Sequence, residues 1–499
     1  MFMTLPADAT LPFEFDNSYA RLPGRFYAQI APKPVTSPRL LVRNIKLAQQ
    51  LGLDPNMLAS PDGIQILSGN KTAESSQPIA MAYAGHQFGG FVPQLGDGRA
   101  MLLGEVIDRD GVRRDIQLKG SGPTPYSRRG DGRAGVGPVL REYLISEAFV
   151  ALGIPTTRSL AAIASGEMIM REGPVPGAVL TRVAASHVRV GTFQYFAVRR
   201  DHDGLRILAD YVIARHYPEA THAPNPYQSL LEAVIERQAK LIAQWMLVGF
   251  IHGVMNTDNM SIAGETIDFG PCAFLDAYDP TKVFSAIDRM GRYAYGNQPE
   301  MAQWTLARLA EALLPLLAHD KDAGLKRAQA AIDAFPAQYQ AAYTARLRCK
   351  LGLAREFPGD VALAQGLLDC MADNTADFTL TFRGLIHAVG QPETETAVQK
   401  HVALPHSFDD WVRRWRARLA DELCSPAERQ VTMRAANPAF IPRNHRVEEA
   451  LKAANNGNLA PFNALHRVLA TPFEDQPEFE HFAEPPRPDQ VVYQTFCGT

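Results

Sequence analysis

The chain changes character once along its length, and that change decides what it can fold into. From Phe91 to Val183 short apolar runs alternate with glycine turns, whereas from Leu230 onward apolar residues recur at helical spacing. In the first stretch Ala100 to Val106 and Asp115 to Leu118 read as strands, with Asp110-Gly111 turning between them. One helix interrupts them, Val139 to Leu152, with Gly153-Ile-Pro155 as its stop. The second stretch predicts helices over 229–248, 298–317 and 323–346, and again around Phe408 to Leu423 and Val447 to Leu469. Residues 200–227, rich in Asp, His, Pro, Asn and Tyr, predict a loop or surface insertion. The first 80 residues predict a lead-in that wraps the next unit, with a helix from Pro38 to Leu51 closed by Gly52. The expected class is α+β, divided into a lead-in (1–80), a β-rich lobe (81–190), a helical lobe (191–340) and a helical extension (341–499).

Composition narrows the functional classes. The 499 residues leave room for a large core, and 50 basic against 53 acidic residues give a net charge of -3. No overall field draws such a chain to nucleic acid or to an anionic membrane. The most apolar stretch, Leu241 to Met255, is broken by Gln244 and His252 and falls short of the ~18 apolar residues of a membrane span. The acidic start (Asp8, Glu14, Asp16) lacks a leader pattern, so a cytoplasmic location is expected. Five scattered cysteines suit neither a disulfide framework nor a zinc site.

Three groups of residues carry chemistry. Gly96 and Gly98, in Gln94-Leu-Gly-Asp-Gly-Arg99, stand at a turn where a backbone can approach phosphate oxygens; a plain hairpin turn is the alternative. A strand-like run ends in Lys119, and 23 residues later the helix carries Glu142. Further on comes His252-Gly-Val-Met-Asn-Thr-Asp-Asn259, and nine residues beyond it Asp268-Phe269-Gly270. Glycine turn, strand lysine, helix glutamate, catalytic loop and D-F-G follow one another as in protein kinases. One position departs: Val254 stands where a kinase keeps its catalytic Asp. Asn259 and Asp268 still supply oxygen ligands for a divalent ion on a nucleotide, and Asp258 is the nearest carboxylate able to take a proton. The polar loop Ser121 to Arg133 can close over a nucleotide or be a plain surface loop. Arg182 and Arg189 lie two turns apart on a helix or frame a bend, and suit a polyphosphate.

Longer strings identify a relationship. Tyr83-Ala-Gly-His-Gln-Phe-Gly-Gly-Phe91, Gln94-Leu-Gly-Asp-Gly-Arg99, Gln117-Leu-Lys-Gly-Ser-Gly122, His252 to Met260 and Asn437-Pro-Ala-Phe-Ile-Pro-Arg-Asn444 resemble the selenoprotein O type of protein adenylyltransferase, the YdiU family of bacteria. The resemblance runs from about Phe26 to the C-terminus. It implies a kinase-like pseudokinase fold of two lobes that binds ATP in a flipped orientation. AMP then passes to Ser, Thr or Tyr hydroxyls of proteins and pyrophosphate is released; UMP transfer with manganese is a variant.

By resemblance, Gly96, Gly98, Arg99, Lys119, Asp131, Gly132, Arg182, Arg189 and Asp268 contact the nucleotide, and Glu142 pairs with Lys119. Asp258 accepts the proton, while Asn259 and Asp268 hold Mg²⁺ or Mn²⁺. Implied partners are protein substrates, self-modification included, with neither nucleic acid nor membrane, and a monomer is expected. Family members end in a selenocysteine or cysteine, a position matched by Cys497. The expected disulfide partner, near Phe284, is not cysteine here; Cys272 is the nearest substitute, with a small buried residue as its plain alternative. A γ-phosphate-transferring kinase and a non-catalytic, redox-sensing nucleotide binder remain the competing readings.

Overall fold

Strand Arg113–Lys119 sends Ile116 and Leu118 into a buried apolar cluster and turns Gln117 and Lys119 to the other face, as a two-residue period requires. That alternation organises the protein, a computed structural model that describes residues 13–389 and 406–496. The strands are β1 (Tyr27–Gln29), β2 (Arg39–Arg43), β3 (Ile79–Met81), β4 (Gly85–Gln87), β5 (Gly90–Val92), β6 (Ala100–Ile107), β7 (Arg113–Lys119), β8 (Ala134–Gly135), β9 (Arg158–Met170) and β10 (Pro174–Ala184), with a short antiparallel pair, β11 (Phe250–Ile251) and β12 (Ala273–Phe274), further on. One antiparallel sheet runs β1-β3-β6-β7-β10-β9-β2, with β8 paired to β10, while β4 and β5 form a separate hairpin. The architecture is mixed α+β.

Each face of the sheet is covered by a different part of the chain. Helices α1 (Ile45–Gln50), α2 (Pro55–Leu58) and α3 (Pro61–Leu67) lay Leu47, Leu58 and Leu67 on Ile116, Leu118 and Val179. On the other face α4 (Val136–Ala151) packs Leu140 and Leu144 against Ala178 and Leu180. Helices Asn444–Asn455 and Ala460–Leu469 complete that layer through Val447, Leu451, Phe462 and Leu465. The remaining α-helices share a larger core with the segment after β10: α5 (Val190–Val198), α6 (His202–His216), α7 (Pro226–Leu247), α8 (Gln298–Leu317), α9 (Lys321–Asp333), α10 (Phe335–Leu351), α11 (Asp360–Asp373), α12 (Phe378–Ala388), α13 (His406–Ala420) and α14 (Pro426–Ala436).

Four sequence expectations are corrected. Pro38 to Leu51 is not one helix: Arg39–Arg43 pairs with the edge of β9, and α1 starts only where the Asn44 side chain accepts the Leu47 N–H at 3.0 Å. Residues 200–227 are largely helical, because Leu205, Leu208, Ala209 and Val212 form a buried i, i+3, i+4, i+7 stripe behind the Asp201 cap. The helix expected over 323–346 divides at Ala334, where Phe335-Pro336 starts α10 with a residue that lacks a backbone N–H. The Val447 to Leu469 stretch divides at Gly457, whose φ of +85° ends the first helix.

The C-terminal helices are tied to the segment that follows Asp268. Asn444 accepts the Phe274 N–H at 3.0 Å and donates to its carbonyl at 2.7 Å, while Arg443 donates to Asp276 at 2.9 Å and Asp377 at 2.7 Å. Arg443 is fully buried. Arg443→Ala therefore strands two carboxylates, and should destabilise the protein by about 3–5 kcal/mol in urea unfolding.

Lys350 is buried with its ammonium 4.3 Å from the Phe382 ring centre, and burial pulls its pKa down to about 7. The folded value lies below the unfolded one of about 10.4, so its stabilising contribution is present above that pH and lost as pH falls to 7. Lys350→Met should gain on the native protein by about 1.4 kcal/mol per pH unit as urea titrations descend from pH 10 to pH 7.

Candidate functional site

A cleft of about 710 Å³ opens where the Gly96-Asp97-Gly98 turn, the 121–133 loop, β7, β10 and the 252–268 segment converge. Its centre is a set of four charges. β7 and β10 pair with Arg182 opposite Gln117 and Leu180 opposite Lys119, so Lys119 and Arg182 emerge on the face covered by α4. There Glu142 on α4 accepts Lys119 Nζ at 2.6 Å and Arg182 Nε at 2.6 Å. Lys119 also reaches Asp268 Oδ1 at 2.7 Å, and Arg182 stands 3.7 Å from the same atom. A register shift between Thr181 and Arg182 in the β9–β10 pair marks the place where the sheet aims this guanidinium.

The electrostatics follow from the geometry. Burial raises the Asp268 carboxyl, but Lys119, Arg182 and Arg99 outweigh it and hold the group well below the usual carboxylate range. Glu142 is likewise raised by burial and lowered further by Arg182 and Lys119. Asp268 takes φ +67°, a left-handed conformation that costs about 1–3 kcal/mol and is held by these contacts.

Arg189 lies past the end of β10 as the N-cap of α5, so the two arginines frame a bend. Its guanidinium sits 4.3 Å over the Tyr83 ring, donates to the Asp258 carbonyl at 3.1 Å and stands 3.7 Å from Asp97. Asp258 is buried, accepts Gln87 Nε2 on Oδ2 at 3.0 Å, and burial pushes its carboxyl up to about 6. Asn259 donates Nδ2 to the Val254 carbonyl at 3.0 Å, which leaves its amide oxygen as a ligand atom. Among the described residues no three His, Cys, Asp or Glu side chains gather in a metal-holding group. A divalent ion would therefore rest on the Asp268 carboxylate and the Asn259 amide oxygen with phosphate and water as its other ligands, a donor set that fits magnesium on a nucleotide.

The polar loop latches over the glycine turn. Thr124 donates to the Asp97 carbonyl at 2.7 Å, Ser127 to the Gly98 carbonyl, and the Tyr126 ring lies where a Gly96 side chain would start, 2.3 Å from an added Cβ. Gly132 has φ +66° and an added Cβ would meet the Gly122 backbone at 2.1 Å. Asp131 sits at the cleft rim, bound to Arg171 at 2.9 and 3.1 Å, apart from the four-charge set. Arg99 lines the cleft. His252 is fully buried and structural: its Nε2 bonds the Ile267 carbonyl at 2.9 Å and its ring stacks on Trp245. Cys272 is buried, donates Sγ–H to the Phe269 carbonyl, and burial pushes its thiol up to about 12. Cys497 lies outside the described residues.

Fold and cleft together define an α+β protein with a charge-lined cleft that holds one carboxylate lowered by its cationic neighbours and one raised by burial. The family model described as Protein adenylyltransferase SelO matches residues 9–470, and the chain belongs to that family. It is 64% identical over 491 residues to a Bradyrhizobium diazoefficiens protein named Protein nucleotidyltransferase YdiU, covering 98% of this chain and 100% of the relative. Proteins of the same name from Methylorubrum extorquens and Rhodopseudomonas palustris are 62% and 61% identical over 98% of this chain, with 100% and 99% of their own lengths covered.

Three contributors escaped the sequence reading. Asp97 accepts the Met81 N–H at 3.1 Å and Gln117 Nε2 at 3.3 Å, pinning the glycine turn to β3 and β7. Gln87 and Tyr83 belong to the Tyr83–Phe91 string, which carries the family resemblance but by itself assigns no side-chain role. Gly96→Ala should displace Tyr126 and release the loop. Limited trypsin digestion should then cut at Arg128-Arg129 at least about tenfold faster than in the native protein, since cleavage follows the population of the open form.

Proposed function

We propose that this protein is a protein adenylyltransferase built on a kinase-like two-lobed fold, with the sheet and α4 as one lobe and the helical region after β10 as the other. The observation that carries the reading is the pairing of Val254, at the position of the missing kinase base, with the buried carboxylate of Asp258 in the same cleft as the four-charge set. ATP lies reversed in this reading, so its α-phosphorus faces Asp258 and its outer phosphates face Lys119, Arg182 and Arg189. The family description and the relatives' name, nucleotidyltransferase, support transfer of a nucleotidyl group to protein.

The Ser, Thr or Tyr oxygen attacks the α-phosphorus while its proton passes to Asp258. The bond from the α-phosphorus to the bridging oxygen breaks, and pyrophosphate leaves with that electron pair. Lys119 and Arg182 stand at the developing negative charge, already oriented by Glu142 and so requiring no reorganisation during the step. A bound Mg²⁺ or Mn²⁺ supplies further neutralisation of phosphate charge at Asn259 and Asp268. Proteins are the acceptors, self-modification included.

The test compares α-phosphate-labelled with γ-phosphate-labelled ATP, using purified protein, Mg²⁺ or Mn²⁺ and a bacterial lysate. Label should enter protein only from the α position and fall by about 100-fold or more in Asp268→Ala and in Lys119→Ala. Label only from the γ position would make the protein a kinase with Asp258 as its base. Binding of ATP with no label from either position would favour a non-catalytic role.

A further inference from the structure

The Asp258 carboxylate is touched by an element outside the main sheet, the β4–β5 hairpin. β4 alternates in use as in conformation. The backbone N–H groups of His86 and Phe88 bond the Thr257 hydroxyl at 2.7 Å and the Asn256 amide oxygen at 3.1 Å, fastening the strand to the loop on either side. Gly85 and Gln87, two apart and so on one face of β4, meet the carboxylate itself. Gln87 Nε2 donates to Oδ2 at 3.0 Å. Under Oδ1 lies Gly85, where an added Cβ would stand 2.6 Å from that oxygen and 3.0 Å from Cγ. Oδ1 is enclosed and has no hydrogen-bond partner among the described residues.

We propose that β4 is a positioning strand for the acceptor step: Gly85 leaves a dry slot that receives Oδ1, and Gln87 fixes the rotation of the carboxylate so that Oδ2 meets the substrate hydroxyl. The proposal rests on the assignment of Asp258 as proton acceptor. Gln87 uses one lone pair of Oδ2 and leaves the other for the incoming proton, while the hydroxyl oxygen's electron pair forms the bond to the α-phosphorus and pyrophosphate departs. Gln87 also lines the cleft, on the same side as the carboxylate it binds. A neutral amide suits this place better than a cation: it orients the carboxylate without neutralising the charge on which its basicity depends. The Gln194 side chain, which accepts the Thr257 hydroxyl at 2.6 Å and bonds the His86 ring at 2.8 Å, stiffens the joint from below.

The experiment measures apparent kcat and KM for ATP in the full-length protein, with α-phosphate-labelled ATP, Mg²⁺ and a fixed amount of bacterial lysate protein. Gln87→Met keeps the side-chain volume and removes the donor; Gln87→Glu keeps the shape and sets a second carboxylate against the first. Both should lower kcat by about 10- to 100-fold with the KM for ATP within twofold of the native value, a loss smaller than the 100- to 10,000-fold expected of Asp258→Asn. Gly85→Ala should lower kcat in the same way. If Asp258→Asn is inactive while Gln87→Met keeps its kcat, or changes only the KM for ATP, β4 does not position the base and the proposal falls. If Asp258→Asn is itself fully active, the acceptor assignment fails first and the proposal falls with it.

Discussion

Everything in the cleft depends on Glu142. Its carboxylate is almost wholly excluded from water, and so is the Arg182 guanidinium it holds, with Lys119 only slightly more exposed. Moving one such charge out of water costs several kcal/mol, and the mutual attraction offsets that only when every member is in place with good geometry. Glu142 has two oxygens and gives one to each cation. Asp268 supplies the second negative charge, so the set is closed and balanced, two against two. The consequence reaches far from the cleft: the register of β7 on β10, the seat of α4 on the sheet and the turn at Asp268 must all agree to within a fraction of an ångström.

The rest of the fold can be understood as the means of holding that agreement. The first layer of the sheet is closed by α1, α2 and α3, which see only the apolar side of β7 and β10 and set no charge. The opposite layer carries α4, and the helices after Asn437 press on α4 from outside. Through Asn444 and Arg443 those same helices grip Phe274, Asp276 and Asp377. The C-terminal region therefore touches both sides of the Glu142–Asp268 pairing, α4 on one side and the chain leaving Asp268 on the other. The tail adds a third grip, since Thr495 donates its N–H to the Phe284 carbonyl at 2.8 Å and its hydroxyl to the Pro271 carbonyl.

How much of this was legible in the sequence depended on how local each signal was. β6, β7 and α4 were readable because each is an apolar stretch closed by a turn or a Gly-Ile-Pro stop, and Lys119, Glu142 and Asp268 could be read together because their order and spacing, ending in D-F-G, outweigh the surface ion pair that any one of them alone would suggest. The Pro38 to Leu51 stretch misled because Leu40 and Leu41 satisfy both periods; what decided was the free edge of β9, which no local pattern records. α6 was hidden by its composition, although its apolar stripe was present. Gln87 and Asp258 lie 171 residues apart, and Asp97 acts on β3 and β7 from a turn. Such roles exist only after folding, in contacts that spacing cannot express.

The two cleft aspartates show what the fold achieves with identical chemistry ten residues apart. Asp258 is buried and Asp268 partly so, and desolvation alone would raise both. Asp268 faces Lys119, Arg182 and Arg99 and stays ionised throughout the ordinary pH range. Asp258 meets a neutral amide at Oδ2, its oxygen Oδ1 is enclosed, and Arg189 spends its hydrogen bonds on backbone carbonyls rather than on the carboxylate, so burial prevails and the group rises to about 6. Environments that drive two like groups apart assign them different work. On the proposed reading the charged one would hold the metal ion and fix Lys119 for the phosphates while the raised one takes the proton. On that reading Val254 leaves the proton to Asp258, whose carboxylate is hydrogen-bonded by the neutral Gln87 amide and not by Lys119, Arg182 or Arg189.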